Sequence, residues 1–395
     1  MSDGKVHSII SPSAASRWCN CTPSALLCQK HGKNETSDYA EEGTLAHEIA
    51  AVWINNYVYY LQTKKAMKQC IEKLDELKKH RLFAPEMIDE VKKYTDFIVS
   101  QQEKSKGKMY AEVEVPLYYR PEDTGTLDNM IIDGEDSTLY INDLKYGKGV
   151  LVEAKNNKQL LIYALSAIDF LNAQRKDKGY APERVVMSIV QPRRDYIDTW
   201  ELSIDEIEMY RDEIQAKANK AVKGEGNFKP GDHCRFCDVK NRCRAMKEYA
   251  DNAVKSLGDD PALLSISEIA KIIGIRKMLT DWLDSVAAFA LEQAIAGVAI
   301  EGFKLVEGRS NRKFTDEKAL KAALIAAGYE ANLLTRSSFL TLTELQKVID
   351  KADFEQICEK YIEKPDGAPT LVEASDPRED FGVIAARREL ADYLQ

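Results

Sequence analysis

The chain of 395 residues carries 55 lysines and arginines against 64 aspartates and glutamates, a net charge of −9, with 44% hydrophobic and 30% charged residues. This balance fits a globular protein of two or three domains with a substantial core, and it excludes a surface coated throughout in phosphate-binding charge. No apolar run approaches the ~18 residues of a membrane span and no secretory leader is legible, so the eight cysteines are read in a soluble, reducing, cytoplasmic setting where clustered thiols hold metal.

In chain order, residues 11–27 and 44–61 are predicted as helices, the second with Leu45, Ile49, Val52 and Trp53 on one face. Helices at 64–80 and 86–106 follow. Strands are expected at 109–118, 126–133, 138–145 and 184–191, with a crossover helix at 157–174 between the last two. Trp200–Glu201 end a further strand, and Ser203 caps a helix over 204–223. The fold class is α/β, a mixed central sheet flanked by helices. A helical N-terminal region at 1–108, a core at 109–250, a mostly helical domain at 255–362 and an extended tail at 363–395 make up the expected domains. Within the third, 265–296 and 316–359 are helical and Phe303–Phe314 forms a small hairpin. The basic run Lys64–Arg81 reads as a solvated helix face, and Arg175–Arg194 as a candidate lining for a DNA channel. No phosphate-binding loop of a motor ATPase occurs, so any unwinding would need a partner.

Four short signals lie between Gly125 and Tyr163: Gly-Thr-Leu-Asp at 125–128, Asp-Leu-Lys at 143–145, then Gln159 and Tyr163. Asp143 and Lys145 share a strand face, and Gln159 and Tyr163 share a helix face. The runs Thr126–Asp133 and Thr138–Lys145 are separated by the turn-rich stretch 134–137. A hairpin centred on Glu135–Asp136 sets Asp128 directly across from Asp143. Like charges so apposed destabilise a sheet unless a divalent cation sits between them. Mg²⁺ or Mn²⁺ suits such hard oxygen ligands, and a retained water can become a nucleophile. Lys145 would orient that water or steady the phosphate's extra negative charge. The competing interpretation is an exposed Asp-x-Lys ion pair of little energetic weight.

Cys234, Cys237 and Cys243 form Cys-x2-Cys-x5-Cys in a polar segment, and three thiolates call for a fourth ligand. His233 and an upstream cysteine of Trp18-Cys19-Asn20-Cys21-Thr22-Pro23 are the candidates. No second ligand pair follows Cys243, as a zinc knuckle would require, whereas a cubane cluster accepts a distant fourth thiolate. Cys28, Cys70 and Cys358 sit singly in helical stretches and read as small core residues.

The order of these signals resembles the RecB-like branch of the PD-(D/E)XK nucleases. It is most similar to the AddB-type repair nucleases and CRISPR adaptation exonucleases that carry an iron–sulfur staple. Over roughly 11–250 the resemblance implies a restriction-endonuclease-like core and a [4Fe–4S] cluster on Cys21, Cys234, Cys237 and Cys243, with Cys19 the alternative to Cys21. Glu42-Gly-Thr-Leu-Ala-His47 is similar to the family's Gly-x-x-x-His motif, which implies His47 as a metal ligand beside Asp128, Asp143 and the Leu144 carbonyl. Lys145 is then the catalytic lysine, with Gln159 and Tyr163 positioning substrate and lysine. Asn142 departs from the aliphatic residue usual before the motif's aspartate. The whole chain also resembles an uncharacterised phage and prophage family, the tail 363–378 included. The expectation is a Mg²⁺- or Mn²⁺-dependent DNA exonuclease of phage recombination or repair, in the cytoplasm of a bacterial host. Its expected partners are DNA, a phage single-strand-binding or recombination protein, and further copies of the chain. The alternatives are a non-catalytic DNA-binding or scaffolding subunit with a degenerate nuclease fold, and a zinc-stapled adaptor working through its C-terminal helices.

Overall fold

The computed structural model describes residues 8–32, 37–135, 137–175, 180–255, 264–308, 312–334, 339–363, 365, 368–373 and 378–393. Asp136 of the expected hairpin loop and parts of 364–378 lie outside them. The chain divides into two compact units, Met1–Trp282 and Leu283–Gln395. Among the described residues no helix is long and apolar enough to cross a membrane.

The first unit opens with a 3-10 turn at Pro12–Ala14 and helices α1 (Ala15–Trp18) and α2 (Ser24–His31). The single helix expected over 11–27 is therefore broken, because Pro23 lacks an amide hydrogen and its ring clashes with a preceding turn. Next come α3 (Asp38–Thr63), α4 (Lys68–Leu77) and α5 (Glu86–Ser105). Ser37 caps α3 by accepting the Ala40 amide, and Leu45, Ala46, Ile49, Ala50 and Ile54 make its buried stripe.

Strands β1 (Lys108–Leu117), β2 (Arg120–Ile132) and β3 (Thr138–Leu144) then form an antiparallel meander. Helix α6 (Lys158–Gln174) crosses over to β4 (Arg184–Gln191), which lies parallel to β3 as such a crossover requires. β5 (Tyr196–Ser203) returns antiparallel and completes a mixed sheet in the order β1-β2-β3-β4-β5. A Ser203–Glu206 capping box starts α7 (Ile204–Glu208), but the helix expected over 204–223 breaks at Met209–Tyr210 before α8 (Arg211–Lys223). α9 (Arg244–Lys255) and α10 (Ile266–Ile295) follow, the boundary between the units falling inside α10.

Each face of the sheet buries its own apolar layer. On one face Leu139, Ile141, Met187 and Ile189 pack with α6 and with Trp18 of α1. On the other, Ile131, Leu144 and Val190 pack with α3 and α5. The site described below lies where these two layers meet the end of β2–β3 pairing.

The second unit contains β6 (Phe303–Glu307), β7 (Lys313–Phe314), α11 (Glu317–Ala326), α12 (Ala331–Leu334), α13 (Leu342–Val348), α14 (Lys351–Asp353), β8 (Ile362–Glu363), β9 (Pro369–Glu373) and α15 (Phe381–Tyr393). Its core gathers Leu320, Leu324, Leu334, Leu345, Phe354 and Cys358. Two expectations are corrected here. Phe303–Phe314 is no hairpin, since β6 pairs with β9 and β7 with β8. The tail is not extended to its end, because Phe381–Tyr393 is a helix. Local pattern could not disclose the first, as the partners of β6 and β7 lie about fifty or more residues along the chain.

Candidate active site and thiol cavity

Sheet pairing builds the acidic site. β2 and β3 face each other at Ile132–Leu139, Ile131–Tyr140, Met130–Ile141 and Asn129–Asn142, and there their pairing stops. β2 continues along β1, and β3 along β4 as far as Leu144 opposite Val190. The strands thus part like the prongs of a fork, and one further step in the same register brings Asp128 and Asp143. The Leu144 amide donates to Asp128 Oδ2 at 2.7 Å, so a carboxylate takes the place of a ladder acceptor. Asp128 Oδ1 lies 3.1 Å from His47 Nδ1, on a stretch of α3 that Leu45, Ala46 and Ile49 anchor in the core.

Asp143 turns to the opposite layer. It is 2% exposed, accepts Gln159 Nε2 at 2.7 Å on Oδ1, and meets Lys145 Nζ at 2.8 Å on Oδ2. Lys145 Nζ also donates to Gln159 Oε1 at 2.8 Å, closing a ring of carboxylate, amide and ammonium. Gln159 is fixed by the α6 N-cap, where Asn157 Oδ1 accepts the Gln159 and Leu160 amides at 3.0 and 3.3 Å. One turn on, Tyr163 is buried against Gly125. A Cβ at Gly125 would come within 2.9 Å of Tyr163 Cε1 and 3.0 Å of Leu117 Cδ2. The glycine of the 125–128 motif is therefore what lets α6 approach β2.

The structure adds Glu112, which sequence reasoning missed. Its carboxylate, His47 and Asp128 each bring one ligand atom to within 4.8 Å of the others. Glu112 stands in mid-β1 with φ of 50°, a region a bulky L-residue rarely adopts. Ala111–Asn129 and Val113–Leu127 pair on either side of it, so it stands opposite Asp128 with no residue inserted. Met109 and Ala111 pack in the α3–α5 layer, yet Val113, Val115 and Leu117, of the same parity, pack in the α6 layer. A regular strand would send all five to one face. The left-handed residue rolls the strand over, and Glu112 sits at the roll. Its sequence signal, an alternating Glu-Val-Glu-Val, is that of a solvent-facing strand.

Charge coupling is strong. Burial opposes a charged His47, but the adjoining Asp128 carboxylate, helped by Asp143, outweighs it and holds the imidazole pKa at about 9. Burial likewise opposes an ionised Asp128, which His47, Lys145 and the Leu144 amide nevertheless keep below the usual carboxylate range. Asp143 is raised by burial and by the like charge of Asp128, against the pull of Lys145. Glu112 is exposed, yet partial desolvation among its crowded neighbours, with the like charge of Asp128, pushes its carboxyl up. Burial, then Asp143 and Asp128, raise the Tyr163 phenol.

Asn142, the departure from an aliphatic residue, joins a buried amide ladder. It donates to Gln101 Oε1 and Asn129 Oδ1, both at 2.8 Å, and Asn129 Nδ2 donates to the Tyr110 carbonyl at 2.9 Å. The connection from Lys145 to α6 has no regular structure but is pinned at several points. Gln191 accepts the Val152 amide at 2.8 Å and donates to the Val150 carbonyl at 2.7 Å. Asp198 accepts the Ala154 amide at 2.7 Å, and Arg194 donates to the Lys148 carbonyl at 2.7 Å. The other arginines proposed to line a channel are also engaged. Arg193 pairs with Glu42 at 3.0 Å, Arg184 with Glu201 at 3.2 Å, and Arg175 stacks over Tyr180. In the run Lys64–Arg81, Lys68, Lys73, Lys78 and Arg81 pair with acids, as a solvated face does.

The thiols gather elsewhere in the first unit. Cys21, Cys234, Cys237 and Cys243 line one cavity together with Arg17 and His233. Short turns present the last three: Cys237 donates its amide to the Cys234 carbonyl at 3.1 Å, and Cys243 to that of Lys240 at 3.2 Å. His233 Nε2 is 2.8 Å from the Lys229 carbonyl. Cys19 lies instead in the sheet core, where burial pushes its thiol up to about 12. Cys28 is no isolated core residue, for its Sγ lies 3.7 Å from that of Cys237. The two sulfurs share a hydrogen bond whose donor can be either of them, and this sharing draws one thiol of the pair down and raises the other.

A family described as "Protein of unknown function (DUF2800)" matches residues 7–379, and the chain belongs to it. The chain is also similar to a solved structure titled "Crystal structure of SSO0001", at 16% identity, over 57% of this chain and 93% of the other. The TM-score of that superposition is 0.25, too low to carry an argument about fold or function.

Proposed function

We propose that this member of the DUF2800 family is a divalent-metal-dependent deoxyribonuclease of the RecB-like PD-(D/E)XK type, hydrolysing DNA from an end in phage recombination or repair. The observation that carries the reading is the fork between β2 and β3, where Asp128, Asp143 and Lys145 converge with His47 from α3 and Gln159 from α6. Asp143 Oδ2 is buried and takes the Lys145 ammonium at 2.8 Å, and as a carboxylate oxygen with two lone pairs it keeps a second direction for a cation. His47, Glu112, Asp128 and Asp143 offer the nitrogen and hard oxygen donors that Mg²⁺ or Mn²⁺ accepts. Bound there, such an ion supplies charge neutralisation and an acidified water.

The remaining work falls to the chain's own residues. Lys145, held between Asp143 and Gln159, places its ammonium where charge builds on a phosphate. Gln159 fixes both neighbours, and Tyr163 backs the helix against Gly125. The Leu144 amide orients Asp128, a positioning role it fills beside the expected contact through its carbonyl.

For the cavity, the donor set supports a [4Fe–4S] group on Cys21, Cys234, Cys237 and Cys243, a staple between the chain's start and the end of the first unit's sheet domain.

The test is digestion of end-labelled linear DNA with Mn²⁺, comparing the wild type with Lys145→Ala and linear with circular substrate. Cleavage lost in the variant, with circles left intact, is the expected result. A metal-loaded wild type inert on single and double strands would replace the reading with that of a DNA-binding scaffold.

A further inference from the structure

Cys28 stands outside the four-thiol set, yet it touches one of its members. Its Sγ is 3.7 Å from Cys237 Sγ, across a sequence separation of 209 residues. The backbones that carry the two are already tied: Arg242 Nη2 donates to the His31 carbonyl at 2.8 Å, at the end of α2. Asp238 Oδ2 lies 3.2 Å from where a Gly32 Cβ would be. The sulfurs have to close from that contact to a bond of about 2.05 Å. Access differs between them, since Cys28 is buried and Cys237 half-buried.

We propose that Cys28 and Cys237 form a disulfide by exchange with a small-molecule disulfide whenever the neighbouring thiols hold no iron–sulfur group. The proton shared by the two sulfurs passes to Cys28, and the accessible Cys237 thiolate so formed attacks the small disulfide, breaking its S–S bond and releasing one thiolate, which takes a proton from water. Cys28 then attacks the Cys237 sulfur of the mixed disulfide and expels the second thiolate, which takes up the Cys28 proton. Two protein thiols are oxidised and one small disulfide is reduced to two thiols. Closure withdraws Cys237 from the ligand set, so bond and cluster exclude each other. That competition rests on the cluster reading above; the pairing does not.

The experiment treats the full chain, stripped of iron, with oxidised glutathione, blocks remaining thiols with N-ethylmaleimide and maps tryptic peptides without reduction. Trypsin releases Trp18–Lys30, holding Cys19, Cys21 and Cys28, and Phe236–Lys240, holding Cys237. The expected result is loss of two of the eight free thiols and a linked species of these two peptides. Fragment ions place the link at Cys28, Cys21→Ser keeps it and Cys28→Ser abolishes it. A wild type that keeps all its thiols, or a link placed at Cys19 or Cys21, overturns the pairing. Because the fragment ions come from the wild type, a Cys28→Ser chain that fails to fold does not block the test. Iron-loaded protein is expected to resist linkage; linkage at full iron occupancy overturns the competition and leaves the pairing supported.

Discussion

The acidic fork and the thiol cavity solve the same problem, gathering several donor groups in one place, by opposite means. In the fork every ligand sits on or beside regular structure. Asp128 and Asp143 come from paired strands, Gln159 from a capped helix, His47 from a long one, and each carboxylate already has a hydrogen-bond donor. In the cavity three of the thiols sit on short turns around Asp232–Phe236 and Lys240–Arg242, and the fourth follows the short α1. A site on a sheet is rigid before its ligand arrives, and one on turns gains its rigidity from the ligand. Metal at the fork should therefore change activity far more than stability. Metal at the cavity should do the reverse.

The largest expected effect is on catalysis. Lys145→Ala should lower the rate of DNA cleavage with Mn²⁺ by on the order of 10²–10³-fold, the scale of losing one preorganised donor. Its melting temperature should stay near that of the wild type, and a variant that unfolds instead would erase the contrast. Next comes the cavity. Cys234→Ser should lose the cluster's absorbance near 400 nm and its iron. A group bound at 100–1,000 times its dissociation constant adds about 2.7–4.1 kcal/mol, which at about 2–4 °C per kcal/mol is roughly 5–16 °C in melting temperature. An iron-free chain that melts unchanged and stays fully active would show the thiols to be no staple.

Gly125→Ala probes the joint between α6 and β2 and should cost about 1–3 kcal/mol by overpacking against Tyr163 and Leu117. It should also reduce cleavage, because Gln159 rides on the helix that is displaced. Urea denaturation and the cleavage assay, run together, separate the two effects.

The smallest effect is on pH. With its pKa raised from the model-compound value of 6.5 to about 9, His47 contributes stability that is complete below pH 6.5 and lost as pH rises through 9. Asp128, whose pKa is depressed, contributes above its ordinary value, so the pair's contribution is level between roughly pH 4 and 6.5. Metal-free wild type should thus melt lower at pH 9.5 than at pH 6, by about 1 kcal/mol or some 2–4 °C, as for a partly exposed ion pair. His47→Asn should flatten that difference, and an equal slope in both proteins would remove His47 from the account.

What the sequence made legible follows the range of the interactions involved. The β2–β3 register could be read because a short turn and an alternating pattern fix it locally, and Asn129 does stand opposite Asn142. β4 spans Arg184–Gln191 as the apolar run implied, and Ser203 caps a helix because capping is a three-residue affair. Glu112 was illegible because a non-glycine residue with positive φ leaves no mark in the sequence; the roll of β1 is imposed by two layers competing for its side chains. Cys28 looked solitary because its partner is 209 residues away. The partners of β6 and β7 were hidden for the same reason, and the acidic, proline-bearing stretch before Phe381 masked the helix behind it.

The stretch from Tyr146 to Asn157 has the look of a loop but not the freedom of one. With the Val152 and Ala154 amides held by Gln191 and Asp198, those hydrogens should exchange with solvent at the slow pace of the strands they touch. Its chain entropy is surrendered when the protein folds, so on the proposed nuclease reading none of it would remain to be lost on binding DNA. The rim between the lysine and its helix is therefore a threshold already set in place, and the proposed cleavage would have no gate to wait for on that side.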